Sequence, residues 1–437
     1  GKYVVNGTFR YEGSNQMGRT TKARWMPTWN VSGAWNVHEE SFFPKLKPLS
    51  SLTFRVSYSL TGTPPDAAYC NALTKLSMNT PYRPTTTDKE LGFVVAALGN
   101  EELTYEKKNE FNFGVDAGFF NNRLNVTFDV YQRRNFDEIA PAVHQLYGKA
   151  YANVGSMKSW GEELSISSTN VKTNDFSWQT SLIYSHNRTE ITDLYNQGRV
   201  IDLVQGNGFA KQGYPARALF SIPFVGINEK GNPVCINEKG QATVGDLNFQ
   251  ERNNTDYLIY EGSTDPIYNG SLGNTFNYKG FHLNLFLTYA FGNVVRLDPV
   301  FKAKYNDLTS MTHDFKNRWM QPGDENVTNV PGVVSRYEYE QNRTLLSTAY
   351  NAYNYTSVRT AKGDFIRLKE ISLAYDFPHR WLENSPVNNI SLKLQATNLM
   401  LLYADKKLNG QDPEFMNAGG VASPMPKQFT LTLKLGL

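Results

Sequence analysis

No apolar run in this 437-residue chain approaches the ~18 residues that a membrane-crossing helix needs, which excludes a helical membrane protein. Charge of one sign is also missing. The net charge is +3 and the basic residues are dispersed, so no nucleic-acid footprint exists and no nucleic acid is expected as a partner. Cysteine is scarce, with only Cys70 and Cys235. Both fall in expected long loops on one side. A single bridge between them is geometrically allowed, and two free small hydrophobes is the simpler reading. No P-loop, Rossmann turn, HExxH or CxxC occurs, and Gly206-Asn207-Gly208 lacks the helix and third glycine of a dinucleotide fingerprint. No catalytic residue, cofactor or metal is expected. Gly1 to Val5 already read as strand, so the chain is expected to be the downstream part of something longer, with no leader read in these residues.

What is present is alternation. Phe111, Phe113, Val115 and Ala117 share one parity, with Asn112, Gly114, Asp116 and Gly118 on the other. After Phe120-Asn121-Asn122-Arg123, Leu124, Val126, Phe128 and Val130 interleave with Asn125, Thr127 and Asp129. Period 2 on both sides of an Asn-Asn turn predicts a β-hairpin. Phe281, Leu283, Leu285, Leu287, Tyr289 and Phe291 repeat the pattern with Phe286 as the exception, and Phe429, Leu431, Leu433, Leu435 and Leu437 repeat it again. Mean hydropathy of -0.48 suits a soluble protein, but also a barrel whose lumen face and loops offset its lipid face. Aromatics at 13% lean toward interfacial girdles.

The pattern predicts about twelve strands, near 3–12, 26–38, 50–61, 107–118, 123–134, 158–171, 176–189, 267–278, 281–292, 364–377, 389–401 and 428–437. Short links at 120–123, 172–175 and 278–280 lie on one side. Stretches 62–106, 135–157, 190–266, 293–363 and 402–427 lie on the other. Loops of that length are improbable in a compact soluble domain and expected on the outer face of a membrane barrel. The fold class is therefore an all-β, antiparallel transmembrane barrel in the bacterial outer membrane, and Phe111, Phe113, Leu283, Leu285, Leu287, Leu431 and Leu433 are expected to face lipid.

Several strings resemble those of SusC/RagA-type TonB-dependent transporters. Glu106 to Asp116 with Phe119 to Leu124 is similar to that family's early hairpin, and Asn153-Val154-Gly155 with Trp160 to Leu164 to its next strand. Gly262 to Pro266, Arg318-Trp319 with Pro322 to Asp324, Asp364 to Lys369, Ala396 to Leu399 and Gln411 to Glu414 follow in family order. The resemblance implies a large plugged barrel of ~22 strands. Residues 1–437 would then be its C-terminal part, without the plug domain and first strands, and strands 3–12 and 428–437 would not pair with each other. It further implies TonB-dependent import of oligosaccharides or peptides. A SusD-like surface lipoprotein and the TonB complex would be partners, alongside the rest of the barrel and plug. An outer-membrane receptor without transport shares every feature seen here, and a self-contained barrel enzyme would need a Ser-His pair at its rim.

The stretch 293–363 holds Phe301, Tyr305, Phe315, Trp319, Tyr337, Tyr339, Tyr350, Tyr353 and Tyr355 among Asn and Asp. Aromatic faces stack on sugars or peptide side chains while amides bind hydroxyls and backbone, so Tyr305, Trp319, Tyr337, Tyr350 and Tyr353 are the candidate substrate contacts. For each ring the plainer role is packing the loop. Asp116 and Asp129 share the polar face of one hairpin and are expected to form salt bridges rather than to do acid-base work. His38, His186 and His282 are read as polar or interfacial residues of strands and strand ends.

Overall fold

The computed structural model describes residues 1–14, 17, 20–43, 48–64, 74–79, 92–97, 99–144, 148–305, 308, 310–383, 386–416 and 426–436. Cys70 and Leu437 lie outside them, and so does any bridge to Cys70. Among the described residues no helix is long and apolar enough to cross a membrane.

Twelve strands form one sheet in chain order. They are β1 (Tyr3–Gly13), β2 (Trp25–Asn36), β3 (Leu49–Thr63), β4 (Glu106–Phe119), β5 (Leu124–His144) and β6 (Gly148–Lys172). The order continues with β7 (Phe176–Leu194), β8 (Tyr268–Tyr278), β9 (Phe281–Phe291), β10 (Phe365–Asp376), β11 (Asn389–Ala404) and β12 (Gln428–Gly436). β1 and β12 stand at the two ends of this order, with no pairing between them among the described residues.

The strands belong to two compact units. The first comprises 1–163, 187–196 and 212–214. Here the register aligns Phe113 of β4 with Val56 of β3 and Val130 of β5, so one face is continuously apolar, and Phe54 stacks on Phe113 at 6.2 Å. On the opposite face the Arg55 guanidinium donates to Asp116 Oδ2 at 2.7 Å and to Asp129 Oδ2 at 3.0 Å, while Thr127 donates to Asp116. The two carboxylates are therefore bridged by one cation, the salt-bridging role expected of them. Gly114 makes this possible, because a Cβ there would occupy the space taken by Asp129 and Arg55. The β4–β5 turn runs through Phe120, Asn121 and Asn122 at φ 53, 58 and 59, a conformation that asparagine tolerates through local hydrogen bonds. The Asn121 and Asn122 amides donate to Ser50 Oγ.

One expectation fails in this unit. The stretch 135–157 is not a loop: β5 runs on to His144 and β6 begins at Gly148. The misleading signal was the loop-like composition of this stretch, and within it Asp137 takes a left-handed φ of 58 inside the strand. The Asn153 amide braces this position by donating to Asp137 O and Thr104 O and accepting from Thr104 N, so the hairpin continues past an apparent loop signal.

The second unit comprises 164–186, 197–211 and 215–437. β8 and β9 meet at Lys279 (φ 45) and Gly280 (φ 87), left-handed in both central positions as a tight hairpin requires. The register places Leu182, Leu272 and Leu287 in one row, with Trp178 and Phe276 two rows to one side and Tyr268 with His186 two rows to the other. Phe286 has the opposite parity, and the β9–β10 register slips between Phe286 and Leu287. Between the Leu row and Trp178, Asn274 Oδ1 accepts from Trp178 Nε1 at 2.9 Å and from Thr180 at 2.7 Å, while Asn170 donates to Thr180 at 2.7 Å. These polar groups on an otherwise apolar face thus supply one another's partners.

Candidate functional site

The long stretches after β7 and β9 are folded bodies. The first carries short strands Ala218–Ser221, Phe224–Ile227, Pro233–Ile236 and Ile259–Ser263. The second carries helices α1 (Arg336–Gln341) and α2 (Arg343–Asn354). Helix α1 starts at Ser335, whose side chain accepts from the Glu338 amide. Helix α2 buries Leu346, Ala349 and Tyr350 with Ala303, and Val244 of the other stretch joins that cluster. Gly245 permits the approach: its φ is 94, and a Cβ would strike Leu345 O.

Arg296 ties the two stretches together. Its guanidinium donates to Thr356 O at 2.7 Å, Phe220 O at 2.6 Å and Ser221 Oγ at 3.0 Å. Burial pulls its pKa down to about 10, which leaves it charged at neutral pH and dependent on those oxygens. Arg359, also held down by burial, lies over the Phe301 ring at 4.8 Å and donates to Asp298 O.

The five candidate aromatic residues do not form one surface. Tyr350 and Tyr353 are 1% and 2% exposed. Tyr350 donates to Gly332 O at 2.6 Å, and Tyr353 meets Phe301 edge-on at 5.0 Å. These two hold the loop together and offer no surface to a ligand, because amphipathic rings on one helix face are driven inward when a hydrophobic partner exists. Tyr305 is half-buried against Phe315 and accepts from the Lys302 amide. Trp319 is half-buried, lies against Gly231 and Gly332, and donates to Glu325 at 3.0 Å. Tyr337, on α1, is open to solvent at 78%.

The sequence reading missed a cavity of about 670 Å³ at the loop end of β8, β9 and β10. Ser271, Thr288, Asn293, Lys369, the Arg217–Asp265 ion pair (2.6 Å) and Glu414 line it. Asn293 is 7% exposed and its amide oxygen has no hydrogen-bond partner, a costly state for a buried polar atom. Three of the strings singled out above converge beside it. Phe365 to Leu368 pairs with Ala404 to Met400, and beyond a register slip Glu370 and Ile371 pair with Thr397 and Ala396, with Asn398 at a φ of 54 in the slip. Arg367 Nη2 then sits 2.6 Å from both oxygens of Asp412 and 3.2 Å from Glu414. No single string reveals this meeting. The one clue was Gln411 to Glu414, a carboxylate pair after the strand that follows an Arg.

This constellation can bind but has no nucleophile-base pair. His282 contacts Asn277 at 2.6 Å and Asp376 at 2.9 Å, His186 stacks on Tyr268, and His38 contacts Leu52 O. Among the described residues no group of three or more His, Cys, Asp or Glu is placed to hold a metal. Cys235 is a buried free thiol whose pKa burial raises to about 12. Alkylation at pH 8 of a Cys70→Ser variant should therefore label Cys235 only after denaturation. Prompt labelling of the native protein would contradict this burial.

The family description for the TonB dependent receptor-like β-barrel matches residues 1–298. The chain belongs to that family, whose members are outer-membrane barrels and transporters or receptors rather than enzymes. It is 25% identical to TonB-dependent receptor P3 of Formosa agariphila, over 94% of this chain and 40% of that protein. It is also 25% identical to TonB-dependent receptor SusC of Bacteroides thetaiotaomicron, over 100% of this chain and 42% of that one. Among solved structures the RagAB peptide importer in its closed-closed state superposes with a TM-score of 0.77 at 24% identity, covering 99% of this chain and 46% of that one. The chain thus spans less than half the length of the relatives it matches. The similarity to SusC and RagAB agrees with the SusC/RagA resemblance in its motifs.

Proposed function

We propose that this chain is the C-terminal part of a TonB-dependent outer-membrane importer of large nutrients, oligosaccharides or peptides, working with a SusD-like surface lipoprotein. The observation that carries this reading is the polar cavity lined by Asn293, Lys369 and Glu414, with the Arg367–Asp412 ion pair beside it, at the loop end of strands whose outer face is apolar. Relatives named for TonB dependence, and one named a peptide importer, support it. No covalent chemistry is required: ligand is held by the loop-end surface, and energy from the TonB complex moves a plug carried by the rest of the receptor. Within the loops, Tyr337 with the half-buried Tyr305 and Trp319 contributes ligand contact, and Tyr350 and Tyr353 support them from below.

The test is uptake of labelled oligosaccharides and peptides by cells with and without the receptor gene, before and after collapse of the proton gradient. Uptake that requires both the gene and the gradient is the expected result, whereas binding without uptake would favour a non-transporting receptor. Tyr337→Ala in the whole receptor should raise the half-saturating ligand concentration about 5- to 10-fold, the loss of a contact worth about 1 to 1.4 kcal/mol. An unchanged value would remove Tyr337 from the contact surface.

A further inference from the structure

We infer that the cavity lined by Asn293, Lys369 and Glu414 is a subsite for the C-terminal end of a peptide, with Lys369 taking its terminal carboxylate. This deepens the import reading, rests on it, and narrows its two ligand classes to one.

The argument is one of matching unmet needs. Lys369 is the extra residue of a bulge, falling between Leu368 and Glu370 where β10 slips against the adjacent pair Phe286 and Leu287 of β9. It is thereby re-aimed from the strand pattern into the cavity wall. It is half-buried and makes no ion pair among the described residues, although acidic groups share its cavity. Those acids are engaged elsewhere: Asp265 with Arg217 at 2.6 Å, and Glu414 with Arg367 at 3.2 Å. Asn293 lines the same cavity, and its buried amide oxygen accepts no hydrogen bond among the described residues. A ligand that completes the site therefore brings an anion for the ammonium and an N–H for the amide oxygen. A peptide end has both, a carboxylate and a backbone N–H close together.

Charge and shape point the same way. The lining cations Arg217 and Lys369 balance the anions Asp265 and Glu414, so the cavity suits a ligand of no large net charge. An oligosaccharide site is built on open aromatic faces. Here Phe365 is 9% exposed and offers no platform of that kind.

The probes are the hexapeptide (Gly-Ala)3, the same peptide with its C-terminus amidated, and maltohexaose. Each is titrated by calorimetry into the whole detergent-purified receptor with its lipoprotein. The free-acid peptide should bind at least tenfold more tightly than the amide. Lys369→Gln should abolish that difference, and Asn293→Leu should weaken both peptides alike. Thermal melting checks that the variants are folded. If Lys369→Gln is not, the acid-to-amide ratio on the unaltered receptor still decides. Equal affinity for acid and amide overturns the inference, as does preference for maltohexaose or no binding of any probe. Binding as expected without energised uptake would leave this subsite standing and remove the import reading instead.

Discussion

Asp412→Ala is expected to cost about 3 to 5 kcal/mol of local stability, because it leaves the Arg367 guanidinium buried without its counter-charge. Both side chains are 5% exposed, and Arg367 Nε already lacks a hydrogen-bond partner among the described residues, so only Glu414 and the Phe365 ring at 5.5 Å remain to compensate the cation. The damage should be confined to the segment that Asp412 anchors. Lys406–Leu408 and Pro413–Phe415 form short turns there, and Leu408 and Met416 pack on Val295, Leu297 and Ala361. Limited proteolysis should cut the variant between 405 and 427 at a rate at least a hundredfold above that of the unaltered receptor. The double change Arg367→Met with Asp412→Leu should recover most of the resistance, since it removes both charges together. Undiminished resistance in Asp412→Ala would mean that the ion pair is incidental to how this segment is held.

Leu287→Arg should cost about 2 to 4 kcal/mol in refolding into lipid vesicles. Leu287 lies in the row with Leu182 and Leu272, midway between the row of Trp178 with Phe276 and the row of Tyr268 with His186. If those rings mark the two interfaces, this row is at the membrane midplane, where the penalty for a guanidinium is greatest. Leu433→Arg serves as a depth control. It lies on β12 opposite Leu392 of β11, which pairs with Tyr375 of β10, at the level of Tyr375 and Phe281. Its cost should be about 0 to 1 kcal/mol. Equal costs at the two positions would overturn the facing or the depth assigned to this row.

The strands were legible because the lipid face imposes a period that no local accident conceals for long. Phe111, Phe113, Val115 and Ala117 can alternate with polar residues only if one side of the strand meets an apolar phase, and the register then carries the same rule to the neighbours. Asp137 shows the limit of that reading. Asp137, Pro141 and Gly148 give this stretch the composition of a loop, yet both strands run through it, and Asn153 bonds across the left-handed backbone at Asp137. The loops were legible as long and aromatic but not as folded. Whether Tyr350 is a platform or a rivet depends on whether Gly332 O and Ala303 are beside it, and both are brought there by chain far from α2 in sequence.

The sequence by itself therefore determined the membrane-facing pattern, the number and order of the strands, and the family, because these rest on contacts with lipid and on nearest neighbours along the chain. Tertiary structure alone decided which polar groups are satisfied and which are not. Arg55 meets Asp116 and Asp129, Arg367 meets Asp412, and the Asn293 side-chain oxygen meets no partner among the described residues. The physical reason is that a charge or amide has no period. Its worth is set by the partner that the fold brings within about 3 Å, and that partner lies tens of residues away along the chain.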